Sequence, residues 1–411
     1  MKIRIKKYRK IPADNITMFL ALFAIVSFAL LEHTSIPIPA FSTVKFPLLY
    51  LGGICLLTKI NLFLRNYKKR KYFYLLAVLF VFCITLGLSA YVNRNPVLGI
   101  NPMRITIRIV LYLIELFLLS IWISETGKSR YAINFMFWYT LILVIITDML
   151  FLTRIVVFTS GRFENYLVGT KFSVAYMHMN LLTLWFTKNN LQFYREGKSK
   201  RFVFIAIPFM LIVSIRVDCM TGVLGCLVLF VLFMLLNTKF QRRFLYFGSP
   251  LMLWAFLLGS VIFPFLAERI VSIPFVTHVV ENILGRDPTL TGRLLIFRTF
   301  GTKMSGHWLW GYGYGNGNVA AEWLFHCANA QNAQLHWILQ AGVPATFILG
   351  ILITVVISRL SKSPRQRNIM PMVILIYVYI IMGTVETTFN MSFFMWIACV
   401  YMYVNEKIEK K

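Results

Sequence analysis

The chain is poor in acid. Only 15 Asp and Glu stand against 42 Lys and Arg, a formal net charge of +27 over 411 residues. Metal-dependent chemistry asks for clustered carboxylates, or for His and Cys at ligand spacing. The sequence has no DxD, no HExxH and no CxxC. Its six cysteines lack framework spacing, so neither a disulfide scaffold nor a zinc module is indicated. Cys55, Cys83, Cys226 and Cys399 fall inside apolar runs, where cysteine behaves as a small hydrophobe. Charge of either sign is scarce, at 14% of residues. The GxxxxGK[ST] phosphate loop of nucleotide enzymes is missing too.

What is abundant is apolar surface. The sequence is 58% hydrophobic, with a mean hydropathy of +0.71. A helix crosses about 30 Å of hydrocarbon with roughly 20 apolar residues. Backbone groups cannot stay unpaired in lipid, so such runs are helices. We count twelve: 15–33, 44–64, 72–92, 104–123, 132–152, 172–188, 202–217, 221–237, 244–265, 335–358, 369–385 and 388–404. The sequence therefore predicts an all-α polytopic integral membrane protein, a single membrane domain over 1–411. One large external loop, 266–334, separates spans nine and ten. The first run follows KIRIKKYRK and resembles a signal peptide in outline. Its length, and the many spans after it, favour an uncleaved helix.

The basic surplus reads as topology and not as nucleic-acid binding. With a cytoplasmic N-terminus, 28 of the 42 Lys and Arg fall in the termini and inner connections. That is the positive-inside pattern, and it puts both termini in the cytoplasm of a plasma (inner) membrane protein. Thirteen more lie outside or at outer span ends, and ten of these are Arg, among them Arg162, Arg216, Arg293 and Arg298. Guanidinium grips phosphate or carboxylate with a planar fork, where ammonium acts as a point charge. An outer face rich in Arg points to a phosphate-bearing or acidic ligand. Pairing with outer acids or lipid headgroups is the competing explanation.

The external loop carries GYGYGNGN at 311–318. A dinucleotide fingerprint needs GxGxxG between a strand and a helix. Here the spacing gives GxGxxN twice. The glycines therefore predict a sharp turn, because they accept positive φ. Tyr312 and Tyr314 are expected at the membrane interface or against a sugar ring. Upstream, TGRLLIFRTF (291–300) predicts a short helix capped by Thr291. Its Arg293 and Arg298 stand about 140° apart round such a helix, on different faces. Downstream, His326, Asn329, Asn332, His336 and Gln340 recur at spacings of three and four, flanked by Gln331 and Gln334. That is a polar stripe, suited either to an interfacial helix or to holding sugar hydroxyls at the mouth of a cavity.

These segments in this order resemble a known family. TGRLLIF, LWGYGYGNG, NAQNAQL…QAG and GTVETTF (383–389) are similar to the motifs of the O-antigen ligase and polysaccharide polymerase superfamily. VAYMHMNLLTLW (174–185) and VDCMTGVLG (217–225) are weaker echoes of its Asn-centred and Ser-Arg-Thr-Gly segments. The resemblance implies a membrane glycosyltransferase that works on the outer leaflet without metal or cofactor. Such an enzyme moves glycan from undecaprenyl diphosphate to an acceptor glycan. A flippase and a chain-length regulator would be its partners in the bilayer.

By that resemblance Arg293 and Arg216, with Arg162 and Arg298 behind them, would neutralise the diphosphate. Asn329, Gln331, Asn332 and His336 would orient sugar or phosphate oxygens, and His326 or Glu386 would accept the proton. Gln331 stands where ligases commonly carry His, and Met220 stands at the Arg of the Ser-Arg-Thr-Gly segment. The first departure favours a repeat-unit polymerase for capsular polysaccharide, exopolysaccharide or O-antigen over a ligase. A ligase that transfers finished polymer stays as an alternative, and so does a flippase or transporter for lipid-linked sugars. The transporter alternative would call for an internal repeat or mid-membrane charge. No clear repeat is visible, and Glu115 is the strong mid-span acid.

Overall fold

The computed structural model describes residues 13–31, 39–95, 101–153, 158–160, 163–189, 198–236, 246–278, 281–282, 293–363 and 366–407. In chain order the helices are α1 (Ala13–Leu30), α2 (Pro39–Leu57), α3 (Ile60–Asn66), α4 (Arg70–Val92), α5 (Met103–Thr126) and α6 (Ser129–Leu152). Then come α7 (Lys171–Asn189), α8 (Lys198–Arg216), α9 (Met220–Leu236), α10 (Pro250–Val271) and α11 (Pro274–His278). The last are α12 (Arg293–Lys303), α13 (Gly317–Phe325), α14 (Ala333–Ile357), α15 (Gln366–Met382) and α16 (Met391–Val404).

Among the described residues each of the twelve apolar runs is mostly helical, with the run 44–64 on two helices. Six of them, α1, α4, α5, α6, α10 and α14, are long and apolar enough to cross a membrane alone. The chain is a helical, membrane-embedded protein. A short antiparallel sheet was not foreseen: β1 (Phe158–Ser160), β2 (Phe163–Tyr166) and β3 (Gly169–Thr170) lead into α7.

Position in the bundle follows from where the apolar residues lie round each helix. From Ile369 to Ile380, and from Phe393 to Tyr403, apolar side chains are buried on all sides of α15 and α16. A helix that is apolar all round belongs inside, and these two form the central hairpin, packed by α5, α7, α9, α10 and α14. Helices α4, α6, α8 and α10 keep large exposed apolar side chains such as Phe80, Ile145, Ile205 and Leu251. In water such a surface would be unfavourable; in lipid it is the expected outer face.

Two of the predicted spans are broken. The run 44–64 bends by 62° between Leu57 and Ile60. At the bend the Lys59 ammonium turns to Asp14 of α1 and lies 5.4 Å from the centre of the Trp122 ring. The second break is at Gly342 in α14, with φ 83° and ψ 171°. There the glycine-rich segment docks into the helix. Tyr312 N–H donates to Leu339 O at 2.9 Å, and Val343 N–H donates to Trp308 O at 2.9 Å. Both groups would otherwise bond each other within α14. A Cβ on Gly311 would stand 2.6 Å from Leu339 O, and one on Gly342 would stand 2.1 Å from Leu309 O. Ser89 of α4 closes the joint, donating to Trp310 O at 2.7 Å.

Helices α12 and α13, between α10 and α14, pack around a second, smaller core. Ile296, Phe297 and Phe300 of α12 meet Ala267, Ala320, Phe325, Leu335 and Leu339 there. This core sets the direction in which Arg293, at the start of α12, leaves the helix.

Candidate functional site

Arg293 points from α12 to the connection between α15 and α16. Its Nε donates to Gln331 Oε1 at 2.9 Å, and its Nη2 lies 3.8 Å from Glu386 Oε2. Glu386 is 2% exposed. Its Oε1 accepts from Thr387 N–H at 3.0 Å and from Asn329 Nδ2 at 3.5 Å. Asn329 Oδ1 in turn accepts from Gln331 N–H at 2.8 Å. Gln331, Arg293, Glu386 and Asn329 therefore form one connected set. Burial raises the Glu386 carboxyl above the ordinary carboxylate range, against the opposing pull of Thr387, Arg293 and Asn329. A guanidinium that keeps 20% exposure thus sits over a buried carboxyl that holds its proton more tightly than usual.

Asn332 supports this set from below. Its Oδ1 caps α14 through Leu335 N–H at 2.9 Å. Its Nδ2 reaches Ser260 O of α10 at 2.9 Å and Thr384 O at 3.1 Å. With Ala333 N–H on Gly383 O, it fixes the Glu386 connection to α10 and α14. Asn332 is fully buried, so its role is to position the site.

The expected polar stripe does not run along one helix. His326 is the left-handed C-cap of α13, at φ 56°, and its side chain is exposed. Asn329 and Gln331 lie in the irregular stretch before α14, Asn332 is its extended N-cap, and helical geometry starts at Ala333. His336 packs its ring on Gly317, whose added Cβ would lie 2.7 Å from Cε1. Gln334 accepts from Ser260 at 2.7 Å and belongs to the α10–α14 packing.

Arg298 makes a two-pronged surface pair with Glu268 of α10, with its Nε 2.9 Å from Oε2. Arg216 is exposed at the end of α8. Arg162 lies outside the described residues, as does Thr291. Tyr312 and Tyr314 are both buried. Tyr312 stacks on His307 at 4.0 Å and donates to Lys303 O, and the Tyr314 ring lies 5.2 Å from that of Trp337.

The turn after α8 packs against the start of α7. Asp218, at φ 51°, pairs with Lys171 at 3.1 Å. Gly222 lets α9 close on α7, because a Cβ there would meet the Ala175 Cβ at 2.5 Å. Tyr176, one residue on, is buried, with its ring edge-on to Tyr379 of α15 at 5.6 Å. Lys171 was visible as an outer cation, and Tyr176 lies within the Asn-centred segment. Neither carried a signal that set it apart from its neighbours. No protein-family model matches this chain, and no curated protein or solved structure matches it.

Proposed function

We propose that this protein is a polymerase of lipid-linked oligosaccharide repeat units, acting on the outer leaflet of the plasma membrane. The twelve helical runs would each span, with both termini cytoplasmic, and the region from α11 to α13 would lie outside. The observation that carries this reading is the pairing of Arg293 with buried Glu386, enclosed by Asn329 and Gln331. The four come from three of the four segments that resemble the superfamily, TGRLLIF, NAQNAQL and GTVETTF.

In the proposed reaction a hydroxyl oxygen of the acceptor glycan attacks the anomeric carbon of the donor glycan. The bond from that carbon to the diphosphate oxygen breaks, and undecaprenyl diphosphate leaves with the electron pair. Arg293 meets the charge that develops on the diphosphate, as a preorganised cation does best. Glu386, once ionised, takes the hydroxyl proton. The diphosphate itself activates the sugar, so the proposed step draws on no nucleotide.

The test is reconstitution. Purified protein in proteoliposomes receives undecaprenyl-diphosphate-linked repeat units, and the products are resolved by size. A ladder of longer glycans on the lipid is expected. Lipid-linked units that change leaflet without lengthening would replace this reading with the transporter one. Finished polymer moved intact to a second acceptor would replace it with the ligase one.

A further inference from the structure

Glu115 stands alone in the middle of α5. Two turns toward one end is Arg108, whose guanidinium lies 3.6 Å from the centre of the Phe46 ring. Two turns toward the other end is Trp122, with Lys59 over it. Seven residues of helix put roughly 10 Å between the carboxyl and either cationic level. Glu115 is 2% exposed, and neither carboxyl oxygen has a hydrogen-bond partner.

The facing helix is shaped for it. A Cβ on Gly52 would stand 2.7 Å from Oε2, and one on Gly53 would stand 2.9 Å from Oε1. The carboxyl fills the space that two missing side chains leave on α2. Ile25 of α1 closes the third side, reaching within 3.1 Å of the same added Cβ on Gly52. Cys55 of α2 is the titratable group within its electrostatic reach. Asp14 of α1 is paired with Lys59, and Tyr72 of α4 donates to Glu125. From α16, Cys399 faces Met136 and Tyr401 donates to Lys71 O.

A bare carboxylate in this place would be costly. No Lys or Arg reaches it among the described residues, and a metal cation would want several further oxygens. A proton is the one ligand that neutralises the group with nothing else required. We propose that Glu115 is an intramembrane proton-binding site, held as the neutral acid between α1, α2 and α5. Docking of the Gly52–Gly53 face on α5 depends on that proton, because ionisation would set an unpaired charge against the α2 backbone. The inference is independent of the glycan chemistry.

The experiment uses the full-length protein in nanodiscs of neutral phospholipid. An infrared difference spectrum is taken between the wild type and Glu115→Gln at neutral pH. A protonated-carboxyl C=O stretching band that the variant lacks is the expected result. Carboxylate bands in its place overturn the proposal. If Glu115→Gln does not fold, Glu115→Asp replaces it: the protonated band must then shift in frequency, and an unmoved band overturns the assignment equally.

Discussion

Two buried glutamates face cations in this molecule, and they are built differently. Glu125, in the last turn of α5, is saturated. Lys71 lies at 2.8 Å, Lys69 at 3.0 Å and Lys407 at 3.2 Å, and the Tyr72 hydroxyl donates to it. These donors come from α4 and from the segment after α16, so the carboxylate ties three parts of the chain together. Lys407 N–H also donates to Ser124 O, which fixes the same joint through the backbone. Glu386 has one cation, at 3.8 Å, and two weaker neutral donors. A carboxylate with every lone pair engaged is a staple. One that is buried, loosely paired and held toward its neutral form can still exchange a proton or yield its cation to another anion.

That contrast can be broken at several points. The largest effect is expected from Arg293→Ala. Loss of a preorganised charge-stabilising donor costs about 10²–10³-fold in turnover, so chain elongation in proteoliposomes should disappear while the protein still purifies in full yield. Arg293→Lys should recover only part, because ammonium lacks the fork. Full elongation by Arg293→Ala would remove this residue from the site.

Next is Glu386→Gln. Removal of a general base costs about 10²–10⁴-fold. The pH profile gives the sharper readout. A carboxyl raised by burial stays protonated to higher pH, so the rising limb of the elongation rate should lie above the ordinary Glu value of about 4.3. The same sign applies to folding: the neutral form is favoured in the native state, so this group's contribution falls as pH rises through its native pKa. Glu386→Gln should flatten that limb. A limb that persists unchanged, and then vanishes in His326→Gln, would transfer the base to His326.

Glu125→Ala should have the opposite signature. It strips three partly exposed lysines and the Tyr72 hydroxyl of their acceptor, a loss of about 1.5–3 kcal/mol for charged hydrogen bonds. Thermal stability and yield should fall, while elongation per folded molecule stays near wild type. Equal loss of specific activity would erase the distinction between the two glutamates.

Gly342→Ala probes the joint that carries the site-bearing loop. An added Cβ at φ 83° meets a backbone carbonyl at 2.1 Å. The melting temperature should drop and elongation should fall with it. Gly313→Val should act likewise, with a smaller effect, since its neighbours are the side chains of Asn93 and Pro102 at 2.9 Å. Arg298→Ala is expected to change least. Its pair with Glu268 is solvent-exposed, and such pairs contribute little. A strong loss of elongation there would enlarge the site to the outer face of α12.

Much of this was legible in the residue order. The 3.6-residue period allows Arg293 and Arg298 only separate faces, and they part in the structure, one inward and one to the surface. The glycines of 311–317 were readable as a turn, and Gly311, Gly313 and Gly315 do take positive φ. The stripe from His326 to Gln340 was misleading, because helical spacing continues across residues that are not helical. Gln331 and His326 adopt left-handed conformations and break it.

Composition alone determined that this chain is a helical membrane protein, because apolar runs of that length leave the backbone one way to pair in lipid. Local sequence also located the long apolar helices. It did not determine which carboxylate is a staple and which is a candidate base. Glu125 and Glu386 differ through neighbours up to 282 residues distant along the chain (Lys407 to Glu125) and only 93 distant (Arg293 to Glu386). Nor did it show that GYGYGNGN enters α14 at Gly342. That joint exists because two glycines on separate segments lack side chains at the same place, and only tertiary packing brings them together.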